Sequence, residues 1–193
     1  MKKILYSVAL AACCMGTMTS CSDFLDASNK SNVTDKQTFA TKEGFNSLVN
    51  DAYQHLQNVY AAPLFTSCFS AGTDMYADAR NKMNEALNTY ETLTPENEDI
   101  TDLYTYLYAG IRAANSVSYY AQTAQVDEKT KGQLVGEARV LAAYEYYLLV
   151  NNFGGVPIMK DFLTTAGTGY PKSSAEDVYA YIISELEDVI GKN

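Results

Sequence analysis

The sequence predicts an all-α protein, and three observations carry that prediction. Apolar residues recur at helical spacing in four long runs, covering about residues 41–60, 98–121, 128–153 and 173–190. No stretch alternates apolar and polar residues for long enough to make a half-buried strand. The runs are bounded by residues that start or stop helices for physical reasons. The 193 residues are 47% apolar and 19% charged, which is enough apolar material for one buried core.

The chain opens on an address. Lys2 and Lys3 precede an apolar stretch, Ile4 to Met15, too short to span a bilayer. Gly16, Thr17, Met18, Thr19 and Ser20 then lead into Cys21. Small residues directly before a Cys resemble a lipobox, although Met18 stands where Leu is usual. Residues 1–20 are therefore expected to be a lipoprotein signal peptide, with Cys21 lipidated as the new N-terminus. Cys13 and Cys14 would leave with it, so Cys68 remains alone. That excludes a disulfide framework and a paired-Cys metal site, and reads Cys68 as a small buried hydrophobe. Residues 21–40, dominated by Ser, Asn, Asp, Thr and Lys, read as an extended tether.

The first helix should begin after Thr41, a suitable N-cap, and carry Phe45, Leu48, Val49, Ala52, Tyr53, Leu56 and Tyr60 as one stripe until Pro63. A long insertion, Ala61 to Asn97, follows, and a segment of that length signals function or disorder. The second helix, Glu98 to Ala121, places Ile100, Leu103, Tyr104, Leu107, Tyr108, Ile111 and Ala114 on one face. The third runs from Glu128 to Phe153 and meets Gly154, Gly155 and Pro157, the expected stop chemistry. The fourth starts at Ser173, where Ser173 and Glu176 form a capping box, and carries Val178, Tyr179, Ile182, Ile183, Leu186 and Ile190. Four such helices suggest two antiparallel pairs stacked as in tetratricopeptide-like α-solenoids, with the insertion between the first two.

Composition removes several functions. With 14 basic against 23 acidic residues and a net charge of −9, the chain has no footprint for nucleic acid. A single histidine, His55, argues against a His-based metal site or a Ser/His triad. Glu137 and Arg139 lie two apart on a helix, so they face different sides and read as structural partners of neighbouring helices. Asn115 reads as satisfying backbone groups, and Tyr144, Tyr146 and Tyr147 as interface packing.

The third helix and its exit, from Gly136-Glu137-Ala138-Arg139 to Phe153-Gly154-Gly155-Val156-Pro157-Ile158, resemble the signature of the SusD/RagB family. Three further blocks resemble the same family in the same order: Cys21-Ser22-Asp23-Phe24-Leu25-Asp26; Leu107-Tyr108 with Ile111 and Asn115; and Ser174 with Glu176, Asp177, Val178, Tyr179, Tyr181, Ile182 and Leu186. Ala142 replaces a family arginine, and Tyr104 stands where Trp is frequent. Ser22, Asp23 and Asp26 after Cys21 also resemble the acidic export signal of surface-exposed Bacteroidetes lipoproteins.

The resemblance implies residues 41–193 are a SusD-like N-terminal helical domain, incomplete at its C-terminus, in a surface lipoprotein of the outer membrane. It implies a non-catalytic protein that binds an oligo- or polysaccharide beside a SusC-type TonB-dependent transporter, with no cofactor or metal. Sugar recognition needs flat aromatic faces with carboxylates, amides and guanidinium groups close by. The insertion supplies that mixture in Asp74, Tyr76, Asp78, Arg80 and Asn81. By resemblance Asp74, Arg80 and Asn81 are the polar candidates and Tyr76 or Tyr104 the platform, although Tyr104 also lies on the apolar stripe. Two alternatives stand beside this reading. One is a tetratricopeptide-like scaffold for a protein partner. The other is a glycoside hydrolase, which would need a pair of carboxylates across a cleft.

Overall fold

The computed structural model describes residues 35–61, 64–76, 85–165 and 167–192. Among them the chain forms seven helices: α1 (Asp35–Ala40), α2 (Lys42–Tyr60), α3 (Leu64–Phe69), α4 (Glu85–Thr89), α5 (Glu98–Tyr120), α6 (Glu128–Phe153) and α7 (Ala175–Lys192). No described residue lies in a strand.

The long helices begin where side chains satisfy the free N–H groups of the first turn. Thr41 accepts from the Gly44 N–H at 3.1 Å. Asn97 accepts from the Ile100 N–H at 3.2 Å. Asp127 accepts from the Thr130 N–H at 2.9 Å and its hydroxyl at 2.7 Å, bonds that hold the Asp127 carboxyl below the usual range. Helix α6 stops at Gly154, whose φ of 70° is favourable for glycine, with its N–H on the Val150 carbonyl.

Helix α7 departs from the expectation by one residue. Ser174, not Ser173, closes the box, accepting from the Asp177 N–H while its own N–H and hydroxyl donate to the Asp177 carboxylate. The Ser173 N–H is already bonded to the Val156 carbonyl at 3.2 Å, which keeps that residue in the extended connection. A second departure lies at residues 35–40, which composition assigned to the extended tether and which form α1. Phe39 explains it, packing at 4.7 Å from the ring of Tyr120. The link to α2 is so close that a Cβ on Gly44 would overlap the Thr38 carbonyl.

Contacts fix the direction of each helix. Tyr53 reaches Glu137 and Tyr60 reaches Tyr144, both 84 residues on, so α2 and α6 run parallel. Tyr108 meets Tyr146 while Tyr104 meets Phe153, so α5 and α6 are antiparallel. Arg139 meets Glu185 while Asn151 meets Tyr179, so α6 and α7 are antiparallel as well. The four long helices thus form two antiparallel pairs, as the periodicity predicts.

Two apolar clusters fill them. One joins Phe45, Leu48 and Val49 of α2 to Ala113 and Val117 of α5 and Leu141 of α6. The other joins Val59 to Leu103, Leu107, Ile111, Tyr146, Leu149, Val178 and Ile182. Several stripe residues lie outside both. Ile183 and Ile190 are 55% and 76% exposed, and Tyr53, Tyr60 and Tyr179 are also exposed. They sit at the margins of stripes wider than the packed face, and the tyrosines put their hydroxyls on polar partners instead.

Candidate functional site

The insertion between α2 and α5 carries the two short helices α3 and α4. Helix α3 buries Leu64 and Ser67, and its Cys68 thiol donates to the Asp99 carbonyl at 3.5 Å. Burial, with Asp99 and Asp102 nearby, pushes that thiol up to about 12, so Cys68 is an unreactive, half-buried residue. Helix α4 buries Leu87. After α4 the chain returns over Gly72. Gly72 has φ +73°, and a Cβ there would overlap the Tyr90 ring and hydroxyl. The Tyr90 hydroxyl donates to the Gly72 carbonyl at 3.4 Å, tying the two sides of the insertion together.

Asp74 and Tyr76 lie just beyond this tie and are exposed. Arg80 and Asn81, like Cys21, lie outside the described residues. Tyr104 sits apart from Asp74 and Tyr76. Half-buried on α5, it contacts Tyr108 at 4.8 Å and meets Phe153 edge-on at 5.1 Å. It borders a cavity of about 430 Å³ with Pro95, Ile100 and Phe153. No described contact joins Tyr104 to Asp74 or Tyr76, and its ring is committed to packing on two others. Of the two rings read from the sequence as a platform, Tyr76 is the exposed one, with the Asp74 carboxylate two residues before it.

Glu137 and Arg139 of α6 and Asn115 of α5 take the structural roles the sequence suggests. Glu137 accepts from the Tyr53 hydroxyl at 2.6 Å. Arg139 donates to Glu185 at 2.7 Å and to Asp188 at 2.6 Å, clamping α7 to α6. Those hydrogen bonds raise its guanidinium further above its ordinary range. Asn115 donates to the Met159 carbonyl at 2.8 Å. Of the three tyrosines expected to pack between helices, Tyr146 is buried, whereas Tyr144 and Tyr147 depart from that expectation: they are exposed and stack on each other at 6.2 Å. His55 lies 3.9 Å from Asp51 on its own helix. Among the described residues no group of three or more His, Cys, Asp or Glu is arranged to hold a metal ion.

Glu145 was not singled out by sequence reasoning. Its side chain is fully buried, and neither carboxyl oxygen has a hydrogen-bond partner among the described residues. It presses against Gly110 of α5, where a Cβ would overlap its carboxyl. Burial pushes its pKa to about 9, so it is a neutral acid at pH 7. A proton-holding carboxyl is what a glycosidase acid requires, but helix packing walls this one off from substrate. A glycine in mid-helix facing a charged residue in mid-helix is the only trace it leaves in the sequence.

Residues 23–191 match a SusD-like family described as starch-binding and associating with the outer membrane. A SusD-like protein of Formosa agariphila is 27% identical over 90% of this chain and 34% of its own length. Among solved structures, a SusD-like protein of Bacteroides fragilis superimposes with a TM-score of 0.67 at 21% identity, over 81% of this chain and 30% of that one. Surface glycan-binding protein A of Bacteroides uniformis superimposes with a TM-score of 0.61 at 25% identity, over 78% and 34% respectively. The chain spans about a third of the length of these relatives. Among the described residues no helix is long and apolar enough to cross a membrane.

Proposed function

The chain belongs to the SusD-like family, and from that premise we propose that it is a non-catalytic glycan-binding lipoprotein of the outer-membrane surface, working beside a SusC-type TonB-dependent transporter. The observation that carries the reading is the family match over residues 23–191. The relative from Bacteroides uniformis, named a surface glycan-binding protein, supports it. So does the exposed pair Asp74 and Tyr76, presented on an insertion tied down at Gly72 and Tyr90.

In this proposal Cys21 carries the lipid, and Asp74, Arg80 and Asn81 bind sugar hydroxyls while the Tyr76 ring supports a C–H face. Each lost hydrogen bond costs about 0.5–1.5 kcal/mol, or up to about 3 kcal/mol to a charged group. Asp74→Ala or Arg80→Ala should therefore weaken glycan affinity by roughly three- to a hundredfold in calorimetry. Unchanged affinity in both would remove the insertion from the site. Cys21→Ser should move the protein from the membrane fraction to the soluble one, and retention of that variant would contradict lipidation at this position.

The scaffold reading keeps one specific observation in its favour. Tyr60, Phe65, Tyr144 and Tyr147 are all exposed, and Tyr60 touches both Phe65 and Tyr144. Exposed, contiguous aromatic surface is common at protein interfaces. Glycan binding that survives Tyr144→Ala and Tyr147→Ala, with loss of transporter co-purification, would assign this surface to a protein partner rather than to sugar.

A further inference from the structure

A cavity of about 370 Å³ lies between α5 and the segment that follows α6. It shares no lining residue with the Tyr104 cavity and none with the insertion. One wall is a single face of α5, where Tyr108, Ile111, Arg112 and Asn115 recur at helical spacing. The other wall is made by Met159, Asp161, Leu163, Thr164, Thr165 and Gly167.

The second wall is pinned to the helices. The Tyr108 hydroxyl donates to the Pro157 carbonyl at 2.7 Å, and the Asn115 amide donates to the Met159 carbonyl at 2.8 Å. The Met159 N–H donates to the buried Tyr146 hydroxyl at 2.6 Å. Three hydrogen bonds from two helices hold a short stretch of connecting chain in place. Further along, the Phe162 ring packs on Tyr119 and Tyr120 of α5, so the wall is held at Met159 and again at Phe162, which lowers the ordering cost of binding.

Its chemistry is mixed. Met159 and Leu163, both partly exposed, supply apolar surface over the buried Ile111. At its edge stand Arg112 and Asp161, and neither has an ion pair or hydrogen bond to another described residue. The Arg112 guanidinium instead lies over the Phe162 ring, 5.2 Å from its centre. That contact uses one face of the guanidinium and leaves its N–H edge available. Thr164 and Thr165 add two hydroxyl groups.

This combination selects a class of ligand. A simple anion would face Asp161, and a simple cation would face Arg112. The set fits an uncharged molecule with one apolar face and several groups that both donate and accept hydrogen bonds. A pyranose ring has that form: axial C–H bonds on one side and hydroxyls around its edge. The volume lies in the range of small-molecule sites and suits one or two sugar units.

We propose that this cavity is a binding site for a single neutral sugar unit, held on Met159 and Leu163 and hydrogen-bonded by Arg112, Asp161 and the two threonines. It is separate from the glycan contact proposed at the insertion and stands without it.

The test is a two-dimensional ¹H–¹⁵N titration of the ¹⁵N-labelled protein with methyl glycosides of glucose, galactose, mannose and xylose, and with L-alanine and acetate as zwitterionic and anionic probes. At least one glycoside should shift the amides of Arg112, Asn115 and residues 163–165 and 167, with a dissociation constant of roughly 1–10 mM. Arg112→Ala and Asp161→Asn should each weaken that binding about tenfold or more. Arg112 and Asp161 are exposed, so both variants should fold, and an unchanged spectrum away from the cavity would verify it.

No shift with any glycoside would overturn the proposal. Shifts confined to residues 70–76 would overturn it too, while supporting the site at the insertion. Shifts at the cavity with alanine or acetate but no sugar would overturn the ligand class. Sugar-induced shifts at the cavity that persist undiminished in both variants would overturn the assigned contacts.

Discussion

Glu145→Gln isolates the most unusual group in the molecule. In the folded protein Glu145 holds its proton up to about pH 9 because burial desolvates the carboxylate and no described residue hydrogen-bonds it, whereas its ordinary value is 4.5. Between those limits the folded chain binds more protons than the unfolded chain. Stability is therefore complete below about pH 4.5, falls as pH rises through the window, and levels off above about pH 9. The loss accumulates at about 1.4 kcal/mol per pH unit, reaching about 3 kcal/mol at pH 7. That is a large share of the stability of an ordinary domain. Glutamine matches the shape and keeps an uncharged polar group in the same place, but removes the titration. Every other ionisable group is common to both proteins, so the difference between them reports Glu145 alone. Urea unfolding followed by circular dichroism, repeated from about pH 5 to pH 8, should show the variant gaining about 4 kcal/mol relative to the parent across that range. Parallel profiles, with a gap that stays constant, would refute the reasoning and show that the Glu145 carboxylate ionises at little cost.

Three further outcomes follow from the packing. Leu107→Ala and Leu141→Ala, at buried positions in the two different clusters, should each cost about 2–5 kcal/mol in the same unfolding assay. A loss below about 0.5 kcal/mol would mean the helix faces are misassigned. Gly110→Ala should destabilise by about 1–3 kcal/mol, because the new methyl meets the Glu145 carboxyl, and pairing it with Glu145→Ala should recover part of that loss. Strict additivity of the two changes would contradict the contact. Arg139→Ala removes the bonds to Glu185 and Asp188, so hydrogen exchange should accelerate in α7 more than in α5, whereas uniform protection would show that the clamp holds nothing.

The sequence made the helices readable because their ends are chemically explicit. Thr41, Asn97 and Gly154 act in the structure as their side chains or missing Cβ suggest. The start of α7 was ambiguous for a local reason. Ser173 and Ser174 are each followed three residues later by an acid, and a backbone bond from Ser173 to Val156 decides between them. Phe39 shows the same limit: a single aromatic in a polar stretch does not announce a helix, and only Tyr120, far along the chain, makes one worthwhile.

The candidate site was legible as composition and less so as geometry. Asp74 and Tyr76 are exposed as a sugar contact requires, while Tyr104, also placed by the periodicity on the apolar stripe, packs against Tyr108 and Phe153. Glu145 escaped because periodicity treats a charged residue among tyrosines as a solvent position. The glycine that accommodates it lies on another helix. The cavity beside Arg112 escaped for a related reason: its walls come from segments more than forty residues apart, joined by bonds such as Asn115 to Met159.

The central claim is that this protein binds glycan. Affinity electrophoresis of the full-length protein through native gels containing starch, laminarin or xyloglucan tests it most directly. Retardation by at least one of these glycans is expected, reduced by Asp74→Ala or Arg80→Ala. Unretarded migration of the folded protein in every gel would contradict it.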